Sequence, residues 1–142
     1  MSYSTTVESV HIARLKPGGD LVQEVNSFLK ENDVTFGMIS IIGAFSRATL
    51  GAFDFEKNVY NRFTVEKVSE ILHCTGNVSM LDGGVFAHLH AILSFEGGET
   101  VGGHVFDGCE IKVAECIVYK FAGEAPERLL DAESGLKLWK VD

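Results

Sequence analysis

The run from Val85 to Asp107 constrains the fold more than any other part of this chain. It reads Val-Phe-Ala-His88-Leu-His90-Ala-Ile-Leu-Ser-Phe, then Glu96-Gly-Gly-Glu99, then Thr-Val-Gly-Gly-His104-Val-Phe-Asp, and it carries three of the five histidines. Two stretches of strand length flank a glycine pair, so the run reads as a β-hairpin. Side chains alternate across a strand, which places His88 and His90 on one face, roughly 6 to 7 Å apart. The loop then decides where His104 points. A two-residue Gly97-Gly98 loop sets Ala91 opposite His104 and sends that imidazole to the other face. A three-residue loop, Glu96-Gly97-Gly98, with Gly98 left-handed, pairs Phe95 with Glu99 and sets His104 across from His90. A bulge at Gly102-Gly103 makes the same one-residue correction.

Upstream, Leu81-Asp82-Gly83-Gly84 reads as a second tight turn, with Asp82-Gly83 as a two-residue loop. That register pairs His88 with Asn77, His90 with Thr75 and Ile92 with His73. One face then collects Leu72, Cys74, Val78, Ala87, Leu89, Ala91, Leu93 and Phe95, which is a core face. The other carries His73, Thr75, Asn77, His88 and His90.

Three neutral imidazoles on adjacent strands suit a divalent metal of the zinc type, with a fourth position left for water or a small molecule. The expected ligands are His88, His90 and His104. His73, Thr75 and Asn77 are expected to flank the metal or line a ligand pocket. Glu70 and Glu115 are the carboxylates to watch for acid–base work. His11, on the first strand, reads as structural. No phosphate-binding Gly-x-x-x-x-Gly-Lys-Ser/Thr loop and no Gly-x-Ser-x-Gly elbow occurs, so the glycine pairs serve turns.

Along the remainder, Val7 to Leu15 reads as a strand and Pro17-Gly18-Gly19 as a turn. Asp20 is a good N-cap for an amphipathic helix with Leu21, Val22, Val25, Phe28 and Leu29 on one face, ending near Glu31 or Asn32. Phe36 to Leu50 reads as a buried strand, a kink at Gly43 and a second strand; Phe53 to Arg62 as strand edge and loop. In Cys109 to Phe121, alternation puts Ile111, Val113, Ile117, Tyr119 and Phe121 on a core face, where Glu115 would be costly without a partner. The tail is expected to form a short helical piece at Glu127 to Leu130 and a terminal strand at Leu136 to Val141.

Composition limits the function classes. The 142 residues, 46% hydrophobic and 23% charged, describe one domain with a real core. Three cysteines without Cys-x-x-Cys spacing read as small core residues rather than a disulfide framework. No apolar run approaches the ~20 residues that span a bilayer, and the N-terminus lacks a basic region followed by an apolar one, so a cytoplasmic location is expected. The formal net charge of −8 disfavours a nucleic-acid partner, because duplex DNA is bound largely by neutralising phosphates.

Several motifs together carry a family resemblance: Pro17-Gly-Gly-Asp-Leu21, Ile42-Gly-Ala-Phe-Ser46 with Leu50-Gly51, Glu70-Ile-Leu72 followed by Gly76-Asn-Val-Ser79, His88-Leu-His90, Gly102-Gly-His104, and Glu115. In this order they resemble the PPC (plant and prokaryote conserved) domain, in its stand-alone prokaryotic form, over about residues 7 to 122. Residues 123 to 142 form a C-terminal extension to that core within a single domain. The resemblance implies an α+β fold with a bent, mostly antiparallel sheet packed on one main helix, and assembly as a homotrimer. It also implies a fold similar to that of acetolactate decarboxylase, a metal enzyme with a histidine-based zinc site. The chain has no Arg-Gly-Arg-Pro AT-hook, the element that holds plant relatives to AT-rich minor grooves. The expected function is a metal-binding domain acting as a small-molecule sensor or metal-dependent enzyme, and the alternative is a DNA-associated regulatory protein.

Overall fold

A computed structural model describes residues 4–140. Their order is β1 (Val7–Arg14), α1 (Leu21–Glu31), β2 (Gly37–Asp54), β3 (Val59–Val65), β4 (Ser69–Leu81), β5 (Gly84–Ser94), β6 (Thr100–Val105), β7 (Glu110–Phe121), β8 (Glu127–Leu130) and β9 (Lys137–Trp139). The outcome is one strongly bent sheet with a single helix. All strand pairs are antiparallel except β4 with β8.

The helix starts where the sequence places it. Asp20 Oδ1 accepts from the Val22 and Gln23 amides at 3.0 and 3.2 Å, so two otherwise unpartnered N–H groups are satisfied. Its other oxygen, Oδ2, accepts from the Gly108 and Cys109 amides at 2.6 and 3.1 Å and ties the cap to the loop before β7. Leu21, Val25 and Leu29 are buried against the sheet. Burying a side chain of that size is worth about 1.5–3 kcal/mol, which far exceeds what an isolated 11-residue helix could muster.

The 18-residue β2 organises the sheet. Its first half lies between β7 and β4, its second half between β3 and β6. Because β4 pairs β5 and β5 pairs β6, the strands β2–β4–β5–β6 close a ring, sealed where Leu50 meets Val105 and Gly51 meets His104. Gly51 and Gly103 make this seal: a Cβ on Gly103 would lie 2.6 Å from the Gly51 carbonyl oxygen, so only glycine lets the strands approach. The expected kink at Gly43 is a register shift within a continuous strand, not a break.

Both hairpins have the expected registers. Asp82 and Gly83 occupy positive φ in a two-residue loop, and Asn77, Thr75 and His73 face His88, His90 and Ile92. In the second hairpin the Phe95 amide donates to the Glu99 carbonyl at 3.0 Å, Gly98 takes φ of +80°, and His104 pairs with His90. The three-residue loop makes the correction.

Three expectations fail, each for a local reason. Leu72 is 49% exposed, because a bulge between Ile71 and His73 gives the core position to Ile71. On β7, a shift near Phe45 puts Ala114, Cys116 and Val118 in the core and leaves Val113, Glu115 and Ile117 outside, so Glu115 is an exposed carboxylate. Finally, Glu127 to Leu130 is strand β8 rather than helix, pairing parallel with β4 at Met80 and Leu81 and antiparallel with β9. Four residues are too few for a period to declare itself. The far end of the expected terminal strand, Val141, lies outside the described residues. The three cysteines are free and buried, and burial pushes the Cys74 thiol up to about 12, so it packs as an apolar group.

Candidate metal centre

His88 and His90 on β5 and His104 on β6 offer ligand nitrogens that all lie within 4.8 Å of one another. The Nε2 atoms of His88 and His90 are 3.2 Å apart. Four ligands about zinc, at bonds of about 2.0–2.1 Å, stand ~3.3 Å from one another, so this spacing needs almost no adjustment. His104 Nδ1 is buried without a hydrogen-bond partner, a polar atom whose burial calls for a ligand. The donor set therefore fits a divalent ion, with imidazoles from two adjacent strands as protein ligands.

Electrostatics favours the protonation state that a metal needs. Burial lowers His88 to about 4, helped by the Arg128 cation and the two neighbouring imidazoles. His104 is also lowered to about 4, by burial first, then His90, Arg62 and Arg128. Both rings are neutral at pH 7, the charge state that coordination requires.

Around the triad stand residues that sequence reasoning missed. The Tyr60 ring packs 5.1 Å from His104, and Phe106 lies 4.7 Å from it on another side. Arg128, from β8, is 6% exposed. Its Nε donates to Ser79 Oγ at 2.9 Å, Nη1 to the Lys137 carbonyl at 3.1 Å, and Nη2 to Asn77 Oδ1 at 2.6 Å. The same Nη2 lies 3.2 Å from His88 Nδ1. A lone arginine in an expected helix gave no signal of this. The one clue was the parity that places Asn77 opposite His88.

The other anticipated neighbours divide. Asn77 reaches the site through Arg128, whereas the Thr75 hydroxyl donates to the Ile39 carbonyl at 2.9 Å and so serves the sheet. His73 shares the face but is exposed, and neither it nor a carboxylate belongs to the ligand cluster. Glu70 is the second residue of β4, roughly 16 Å along the strand from Thr75. Glu115 stands on β7 opposite Arg14 and Ile42. His11 bonds Ser9 Oγ at 2.9 Å and packs edge-on against Phe28, a structural role.

The model of the Plants and Prokaryotes Conserved (PCC) domain matches residues 2–122. This chain belongs to that family. A metal-containing protein from Archaeoglobus fulgidus shares 38% identity with this PCC chain, over 99% of each chain, with a TM-score of 0.94. A plant- and prokaryote-conserved protein from Pyrococcus horikoshii is 30% identical over 99% of this chain and 97% of its own, with a TM-score of 0.93. A candidate DNA-binding protein from Bacteroides thetaiotaomicron is 26% identical, with coverage of 97% and 96% and a TM-score of 0.86. Acetolactate decarboxylase from Bacillus subtilis, 19% identical at a TM-score of 0.57 over 91% of this chain and 59% of its own, shares the fold. Among curated proteins, the bifunctional protein GlmU of a Synechococcus strain is 33% identical over 120 residues, 80% of this chain. The PCC chain spans 18% of that relative's length. Arg128 lies beyond the matched PCC segment, in the extension that packs back onto the triad.

Proposed function

We propose that this PCC domain is a cytoplasmic, homotrimeric metal-binding protein that holds one divalent ion, of the zinc type, on His88, His90 and His104. The ion's open position faces a small molecule, in the manner of a sensor or a metal-dependent enzyme. The observation that carries this reading is the convergence of three ligand nitrogens within 4.8 Å. Neutral imidazoles and the buried, unpartnered His104 Nδ1 support it, as does the metal-containing relative from Archaeoglobus fulgidus. When bound, such an ion supplies a Lewis acid and lowers the pKa of a coordinated water. The chain's own part is to orient the ligands: β5 and β6 fix the imidazoles in register, and Tyr60 and Phe106 pack against His104.

Self-association is supported by the sheet face remote from the helix. Val10, Ile12, Met38, Ile42, Ile117 and Ile92 are 38% to 80% exposed there, apolar side chains that a second copy of the chain would cover. Among the described residues no helix is long and apolar enough to cross a membrane.

The test is elemental analysis of protein purified without chelators. About one metal per chain is expected in the wild type, falling at least tenfold in His88→Ala, His90→Ala and His104→Ala. Variants that keep their metal would sink the assignment. DNA association, suggested by the Bacteroides relative, is the second reading. It requires duplex binding with a measurable salt slope, against a formal net charge of −8.

A further inference from the structure

Beside the triad lies a cavity of about 180 Å³, smaller than the ~300–1,000 Å³ pockets that take drug-sized ligands. It is lined by His88, His104 and Arg128 together with the apolar Phe86, Leu136 and Leu138. The C-terminal β8–β9 hairpin thus roofs the histidine site with apolar groups and inserts one cation.

That cation is unusual in its company. A buried guanidinium normally meets a carboxylate, since an uncompensated charge is costly to desolvate. Arg128 forms no ion pair among the described residues; its hydrogen-bond partners are a hydroxyl, an amide oxygen, a backbone carbonyl and an imidazole nitrogen, all neutral, and the Phe86 and Trp139 rings stand 5.5 and 5.8 Å from the guanidinium carbon. Lys137, also at the cavity, is paired with Asp82 on the outside. The ligand cluster contains no acid either. A divalent ion on the three neutral imidazoles adds two positive charges to a site that Arg128 and Arg62 already make positive, with no carboxylate in the ligand cluster.

Hydrogen-bond capacity points the same way. A guanidinium has five N–H donors. Four of Arg128's are committed, and the fifth, on Nη1, has no partner. Arg128 lines the cavity while 6% exposed, so the spare Nη1 hydrogen belongs to a buried cation without an anionic partner. A carboxylate oxygen accepts from a guanidinium N–H in a short, charge-assisted bond.

We propose that the cavity between the histidine triad and the C-terminal hairpin binds a small carboxylate, one oxygen on the spare Arg128 Nη1 hydrogen and its short apolar body against Phe86, Leu136 and Leu138. This inference rests on the metal reading, because an ion on the triad adds the positive charge that a carboxylate beside Arg128 would balance. Arg128 is then the residue that selects an anionic ligand, and the extension beyond the matched family segment is what confers it.

Calorimetric titration with isobutyrate, its uncharged isostere isobutyramide and inorganic phosphate tests this, on protein whose zinc content is measured first. Isobutyrate is expected to bind the zinc-loaded chain at least tenfold more tightly than isobutyramide or phosphate, and at least tenfold more tightly than it binds chelator-stripped protein. Arg128→Met should lose that preference with zinc retained. Since Arg128 also stitches β4 to β9, Leu136→Trp provides a second variant, which fills the cavity from its rim and should weaken isobutyrate to the same extent. Equal binding of acid and amide, tighter binding of phosphate, or wild-type affinity in both variants would overturn the proposal. Zinc uptake without isobutyrate binding defeats this inference alone. Failure to take up zinc defeats it together with the metal reading.

Discussion

At the scale of single residues, the site depends on keeping two imidazoles uncharged. His88 and His104 have folded values of about 4, depressed chiefly by burial, against about 6.5 in an unfolded chain. Above pH 6.5 the rings are neutral in both states and the full stability of the fold is present. As pH falls from 6.5 to 4 the unfolded chain takes up protons that the metal-free native site refuses, so stability is lost through that window. Both rings keep partial solvent access, so screening reduces the loss to ~1–2 kcal/mol per histidine. Denaturant melts of chelator-treated protein should therefore show a fall between pH 6.5 and 4 that is absent in His88→Gln/His104→Gln; a flat wild-type profile would remove the burial argument. Of the site, the face shared by His88 and His90 was legible from strand parity, whereas His104 depended on the loop, which the three-residue turn at Glu96-Gly97-Gly98 settles. Arg128 was not legible: it is remote in sequence and enters through a parallel pairing that no local period announces. Nor was Thr75's turn toward the Ile39 carbonyl, because a position on the correct face does not determine where a hydroxyl points.

At the scale of elements, the β5–β6 loop does the aligning. Gly98 at φ +80° has open space where a side chain would go, so Gly98→Ala should cost only the strain of the left-handed region, ~1–2 kcal/mol, and leave the triad assembled. A lower melting temperature with unchanged metal content is the expected result. Loss of metal at unchanged stability would mean that Gly98→Ala shifts the register, contradicting a three-residue loop that merely bears the strain. The hairpin registers and the helix could be read ahead of the structure, since turn chemistry, capping and periodicity all agree there. The bulges could not. Leu72 and Ile71 differ by one position, and nothing in their chemistry says which is the extra residue. On β7 both faces are apolar, so Ile117 outside and Val118 inside look alike in sequence; one face is covered by this chain's own core, and the other is left open.

That open face belongs to the scale of the whole molecule. Ile12 is 80% exposed and Ile42 53%, on adjoining parts of the sheet face that also carries the histidines. Ile12→Asp/Ile42→Asp should convert a trimer into monomers in light scattering, with little change in the fold; a wild-type monomer would refute the assembly. The fold class was legible from the family motifs, while the closure of β2, β4, β5 and β6 into a ring came only with the pairing of Gly51 and His104. X-ray absorption at the metal edge of chelator-free protein reads whether the ring holds an ion on three imidazoles. A nitrogen-dominated shell at about 2.0–2.1 Å with multiple scattering from three imidazole rings is expected. A sulfur shell from the cysteines, or scattering from fewer than two imidazoles, would contradict it.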